Sequence, residues 1–499
     1  MTIFHFLKHR LILKTNTLIM MGIILVYGIS YFIYGETVPG FGWDGVVYKS
    51  ITQNFYEKVF VTGLDQYYIQ RIFVPAFLNL IFYLIRVPLI DVNILWGFKI
   101  FNLVCLIIGI YFYSLIAEEL RFKNKVMWLG FAALFMNFAV LKHNFYYPVL
   151  LDTTIFALSI IQFYSYLKNN LIALIITTIV GAFTWPSFLY PSILLILFPI
   201  HNEVVKYDKN KIKLLIILLI MTFFSLCLCI LYPKYAFIVT GQGENPINSS
   251  FIVVSIISLL AYIYLALNPL LKDNRLFKVK SYFKEIRLKT IIIAAIIFCS
   301  VIILVSLQHP NKSVNIKSFV GTSLLISISQ PLIFLLSHII YFGPVMLLTI
   351  YYWKSISSSI HSYGLGIALF VLFYILIGIN SESRRIINAV PVFIILTMIV
   401  INRFDIKSIH VVLFFIISLI FSKFWFIFNI PVFSHGLNGG YQKFPDQKYF
   451  MNLGPWMSNE MYLLQGSIVF ISGAVIFYIL RRYYNIDDVG IKELHNNVE

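Results

Sequence analysis

Charge is scarce in this chain. Only 12% of its 499 residues are charged and 60% are hydrophobic, whereas soluble domains carry about 25% charged residues. With a mean hydropathy of +0.86, there is more apolar surface than a soluble fold can bury, so lipid must be the solvent for most of the chain. Cysteine is equally sparse: Cys105, Cys227, Cys229 and Cys299 all fall inside apolar segments. Cys227 and Cys229 are two apart and point to different faces of a helix. A disulfide framework or a cysteine metal site is therefore not expected, and the four read as small packing residues. No long basic run and no nucleic-acid motif accompanies the net charge of +17. The bases lie in short loops between apolar runs, where they set topology against anionic lipid headgroups. There is no soluble segment of core-forming size and no internal repeat of the kind found in many transporters. No metal-ligand spacing stands out. No cofactor is called for, and a divalent cation is left open.

What the sequence does have is aromatic rings, with 47 Phe and 32 Tyr, the residues of membrane interfaces. The N-terminal stretch "HFLKHRLILKTNTLIMMGIILVYGISYFIYG" is basic and then apolar. It ends in aromatics rather than a small-residue cleavage site, which predicts a retained first helix with its N-terminus in the cytoplasm. Spanning needs about 20 apolar residues. About 14 runs, among them 17–35, 94–117, 126–141, 150–167, 331–352 and 463–480, approach that length. The expectation is an all-α polytopic membrane protein of about 12–14 transmembrane helices, one integral-membrane domain over 1–499. The segment 72–90, "IFVPAFLNLIFYLIRVPLI", is ambiguous. Read as surface-lying rather than spanning, it places both "EELRFKNK" and "KDNRLFKVKSYFKEIRLK" inside. That gives roughly 24 Lys and Arg inside and 14 outside, as the positive-inside rule prefers. Pro75, Arg86 and Pro88 also suit a surface helix. Residues 36–93 then form a first extracytoplasmic loop with juxtamembrane helices, and 430–462 form the last.

This topology gathers a set of polar residues at the outer face. Asp44 stands in "GWDGVVYKSI". An acid in a loop is ordinarily just solvated, but Trp43 supplies an apolar wall and Gly42 and Gly45 permit close backbone approach. A positioned carboxylate beside a hydroxyl is what a general base requires. Asp152, after "FYYP", suits a helix N-terminus, and an ionisable residue at a membrane helix end is also a functional candidate. Arg384 and Arg385 in "NSESRRIIN" breach positive-inside. They are either interfacial anchors or forks for a phosphate. Arg71 either pairs with Asp65 or faces substrate phosphate. His143 and His435 are single histidines near the surface, and Asp446 lies in the last loop.

With these residues in view, "GWDGVVYKSI" followed by "DQYYIQRIFVPAFLNLI" resembles integral-membrane glycosyltransferases of the GT-C type. It is especially similar to those with a Trp-Asp-x-x-x-Tyr entry motif, such as the second mannosyltransferase of GPI-anchor assembly and its bacterial relatives. The resemblance covers about residues 15–165. It implies that Trp43, Asp44 and Tyr48 belong to the site, with Asp44 as catalytic base, that Asp152 is a second acid, and that Tyr68, Arg71 and Pro75 form a Tyr-x-x-Arg-x-x-x-Pro element. It also implies juxtamembrane helices after the first span, as charge counting does for 72–90. Gly45 departs from the pattern, because many relatives carry a second carboxylate there.

The resemblance implies a hexosyltransferase with a polyprenyl-phosphate sugar as donor and a lipid-linked or cell-surface glycan as acceptor. Asp44 and Asp152 would be catalytic. Trp43, Tyr48, Tyr68 and Arg71 would bind substrate, joined, on the reading of the residues themselves, by His143, Arg384 and Arg385. Membrane lipids are the other partners and nucleic acid is not. The architecture leans to a bacterial plasma membrane, with the site on the extracytoplasmic side. Two rivals stay open: an O-antigen-type polymerase, which needs outer-loop arginines but no acid in the first loop, and a lipid-linked sugar flippase, which needs charges buried along a pathway.

Overall fold

In lipid an apolar segment can satisfy its own backbone N–H and C=O groups only by coiling. The structure, a computed structural model, describes residues 14–200, 217–225, 227, 251–271, 288–307, 323–426, 457 and 459–484. No strand occurs among the described residues. In chain order the principal helices are α1 (Thr15–Tyr34), α2 (Gly45–Gln53), α3 (Phe73–Ile85), α4 (Asp91–Glu119), α5 (Asn124–Phe135), α6 (Asp152–Leu167), α7 (Leu171–Ala182) and α8 (Leu189–Leu197). They continue with α9 (Ile252–Leu270), α10 (Leu288–Ser306), α11 (Ile333–Phe342), α12 (Val345–Tyr351), α13 (Trp353–Ile360), α14 (Leu365–Ile377), α15 (Val390–Ile401), α16 (Ser408–Ser422) and α17 (Asn459–Tyr483).

Five of these (α1, α4, α9, α10 and α17) are long and apolar enough to cross a membrane, and α5 with the turns up to Tyr146 makes a sixth if its 48° bend is counted within one span. The chain is an all-α polytopic membrane protein. The 12–14 spans expected from apolar runs are not matched one for one. Seven further apolar helices are only 10–17 residues long. The reason is local. The run 331–352 is cut into α11 and α12 at Gly343–Pro344, where Pro344 has no N–H to donate. The run 126–141 ends as α5 at Phe135 and passes into a π-helical turn over Ala139–His143. The apolar run 214–232 is described over 217–225 and 227, which are helical.

The expected surface segment is α3, 13 residues long, or about 20 Å, short of a hydrocarbon core of about 30 Å. It packs against α2 and α4. The Asn79 amide donates to the Thr52 carbonyl at 2.8 Å, and Lys49 of α2 reaches Asp91 at the start of α4, also at 2.8 Å. The first loop is thereby fastened to one end of α4. Behind it, α4 packs on α1 and α6, and α6 packs on α7 and α15. Outward faces carry exposed Leu18, Val26, Ile296, Ile303, Phe470 and Ile471, the faces such helices offer to lipid.

The turn from α7 to α8 matters for the site. Gly181 lets the Phe188 ring fold back onto α7. A Cβ at position 181 would sit 2.1 Å from the Phe188 ring, closer than atoms can pack. Gly181→Ala is expected to cost about 1–3 kcal/mol as an overpacked contact, read as a lower Tm in detergent. An unchanged Tm would mean that the ring swings away freely.

Candidate functional site

The chain leaves α1 through a tract in which Gly40, Phe41, Gly42 and Trp43 all have positive φ, from 46° to 72°. Position 42 requires glycine, because a Cβ there would lie 2.9 Å from Val38 and 3.1 Å from Tyr147. Trp43 in the left-handed region costs of order 1–2 kcal/mol, and residues held in that way cluster at functional sites. The tract leaves Trp43 partly exposed and sets Asp44 at the N-cap position of α2. There the Asp44 carbonyl accepts from Tyr48 N–H at 3.0 Å, while its carboxylate makes no cap bond.

That carboxylate is held from the other side of the loop. The Tyr67 hydroxyl donates to it at 2.8 Å and the Tyr68 hydroxyl stands at 3.5 Å. Burial and the charge of Asp44 push the Tyr68 hydroxyl up to about 12. Burial likewise raises Tyr67 and Tyr48 above the ordinary phenol value, so all three keep their protons. The Arg71 guanidinium lies 3.8 Å from Asp44 and donates to the Tyr48 hydroxyl at 3.2 Å. It stacks on Tyr67 at 4.0 Å and on Trp185 at 4.6 Å. Its Nε is buried without a partner. Asp44, with 26% of its side chain exposed, is the open end of this cluster.

A second pair lies behind Trp185. Arg384, in the 3-10 turn Ser383–Ile386, grips Asp152 with both prongs: Nε to Oδ1 at 2.7 Å and Nη2 to Oδ2 at 2.8 Å. Both are buried, with side chains 10% and 3% exposed. Burial works against the Arg384 charge, but the facing Asp152 carboxylate outweighs it and holds the guanidinium well above its ordinary value. Arg384 also lies over the Trp185 ring, at 5.8 Å, so one indole borders both arginines. His338 steadies the turn: its ring nitrogens meet the Ser383 hydroxyl at 3.0 Å and the Gly378 carbonyl at 2.8 Å. Around Asp152 are His143, whose ring centre is 5.6 Å from that of Tyr341, and Asn144, which accepts from Thr153. His143 Nδ1, Asn144 Nδ2 and the Tyr341 hydroxyl are buried and unpartnered, which is spare hydrogen-bonding capacity beside a neutralised ion pair.

The structure thus brings Asp44, Tyr48, Tyr68 and Arg71 together. Asp152 is joined to Arg384, with His143 nearby. Arg71 faces Asp44, and Asp65 caps the backbone turn before Tyr68. Arg385 turns to Glu382 at 2.7 Å and leaves the clamp to Arg384. His435 and Asp446 lie outside the described residues. Sequence reasoning missed Tyr67, Trp185 and Tyr341. The dipeptide Trp185–Pro186 at a helix break was the signal for one of them. Among the described residues no group of three or more His, Cys, Asp or Glu could hold a metal, and Asp152 spends both oxygens on Arg384. Compared with known protein families, curated proteins and solved structures, the chain matches none.

Proposed function

We propose that this protein is a membrane glycosyltransferase of the GT-C type. It would move a sugar from a polyprenyl-phosphate donor to a lipid-linked or cell-surface glycan. The reading rests on one observation: Asp44 is a partly exposed carboxylate that declines its helix cap and is held instead by Tyr67, with Arg71 3.8 Å away. In this scheme Asp44 takes the proton of the acceptor hydroxyl. The acceptor oxygen bonds to the anomeric carbon, the bond from that carbon to the phosphate oxygen breaks, and polyprenyl phosphate leaves with the electron pair. Displacement from the opposite face inverts the anomeric centre. Arg71, the cation beside Asp44, meets the leaving phosphate with charge-assisted hydrogen bonds. Arg384 is spent on Asp152 and shapes the site instead of binding phosphate, and Trp43 offers a face for a sugar ring. A lipid tail lying among helices suits a site at the membrane surface, on the extracytoplasmic side of a bacterial plasma membrane.

The test is transfer in proteoliposomes, with a panel of polyprenyl-phosphate sugars offered against a membrane glycolipid extract and the product's anomeric configuration read by NMR. Transfer with inversion is the expected result. Retention of configuration would remove direct displacement. Absence of transfer from every monophosphate donor, with turnover of a lipid diphosphate, would hand the chain to the polymerase reading.

A further inference from the structure

A cleft lies at the other end of the molecule. α4 is 29 residues long, or about 43 Å. Asp91 at its start is tied to α2, the helix that follows Asp44, and the loop beyond its far end meets the segment between α15 and α16. There Lys123 donates to the Phe404 carbonyl at 3.0 Å and its N–H to Asn402 at 2.8 Å. At this end α16 packs on α5 and α11, while α17 packs on α11 and α12. Between α16 and α17 an apolar cleft encloses about 80 Å³ within a volume of about 600 Å³ that includes its open mouth. Leu413, Phe414, Ile417, Ile476 and Leu480 line it. It extends about 10 Å along α16, from His410 to Ile417. Leu413 on its lining is exposed, and Val475 and Tyr478 on α17 are exposed apolar residues of the kind that meet lipid.

The rim is polar and mainly cationic, with Asp405 close enough to act on Tyr484. The Tyr484 hydroxyl accepts from Lys407 N–H at 3.0 Å and meets His410 Nδ1 at 2.6 Å, which closes the cleft at its polar end. Lys407 lies over the Tyr483 ring at 4.6 Å and Arg482 over the same ring at 5.5 Å. Within 402–410 and 478–484 the cations are Arg403, Lys407, Arg481 and Arg482, and the one acid is Asp405. An apolar slot capped by cations matches a molecule with a hydrocarbon chain and an anionic head. We propose that the cleft between α16 and α17 binds one anionic phospholipid, its acyl chain along Leu413 and Ile417 and its phosphate at Lys407, Arg481 and Arg482. The site is separate from the Asp44 cluster and does not depend on the reaction assigned there.

Native mass spectrometry of the full chain released from detergent would test this. Phosphatidylglycerol and phosphatidylcholine of matched acyl chains would be titrated against wild type, a Lys407→Gln/Arg481→Gln/Arg482→Gln variant and Leu413→Trp. Wild type is expected to retain one phosphatidylglycerol with at least tenfold preference, since each cation near a lipid phosphate favours it several-fold. The charge variant, altered only at exposed positions, is expected to bind both lipids within about twofold of each other. Leu413→Trp, which fills the mouth, is expected to lose both, with Tm reporting that each variant folds. Equal binding of the two lipids by wild type, preference retained in the charge variant, or no lipid retained by wild type would overturn the proposal.

Discussion

Asp152→Ala is expected to destabilise the protein by about 3–5 kcal/mol, and Arg384→Ala by a similar amount. Each change leaves the other charge buried with no counter-ion. The pair is bidentate and nearly sealed from solvent, so water cannot easily replace the missing partner. Joint replacement by apolar residues of similar volume, Asp152→Leu with Arg384→Met, is expected to recover most of the loss, because a buried pair contributes little net stability over a packed hydrophobic contact. Thermal unfolding in one detergent reads all three variants. Additive losses in the double variant would show that the two side chains do not act as a unit. Recovered stability with lost transfer would separate a positioning role for the pair from a purely structural one.

Asp44→Asn is expected to lower sugar transfer by about 100- to 10,000-fold with Tm nearly unchanged. The amide oxygen of asparagine still accepts from Tyr67, so the loop keeps its shape while losing the group that takes a proton. Arg71 makes a useful comparison. Its role combines a bond to Tyr48 with stacking on Tyr67 and Trp185, so lysine, a compact ammonium without a planar face, is a poor substitute. Equal turnover by wild type and Asp44→Asn would return the carboxylate to a structural part. A collapse in Tm would say the same by another route.

The sequence makes the N-terminal half of the site legible because its members are neighbours in the chain. Trp43, Asp44 and Tyr48 share one turn, Tyr68 and Arg71 another, and short motifs carry both. Trp185 and Arg384 enter from distant segments, and nothing local announces that one indole will border Arg71 and Arg384 at once. Arg384 and Arg385 are adjacent and chemically alike. Only the turn over Ser383–Ile386, braced by His338, decides that one grips Asp152 and the other Glu382. The membrane class follows directly from composition. The helix count does not, because hydropathy adds up along 331–352 whether or not Gly343–Pro344 breaks the rod in two.

The Asp152–Arg384 contact has a consequence for how the protein is made. Its partners are 232 residues apart. At synthesis rates of about 5–20 residues per second, the aspartate waits on the order of tens of seconds for its counter-ion. A carboxylate in the middle of an inserted helix would spend that interval in hydrocarbon. Asp152 instead opens α6, at a helix end, and gains its partner only when the turn before α15 has been made. The ion pair can therefore close only late in synthesis, once residue 384 has been made.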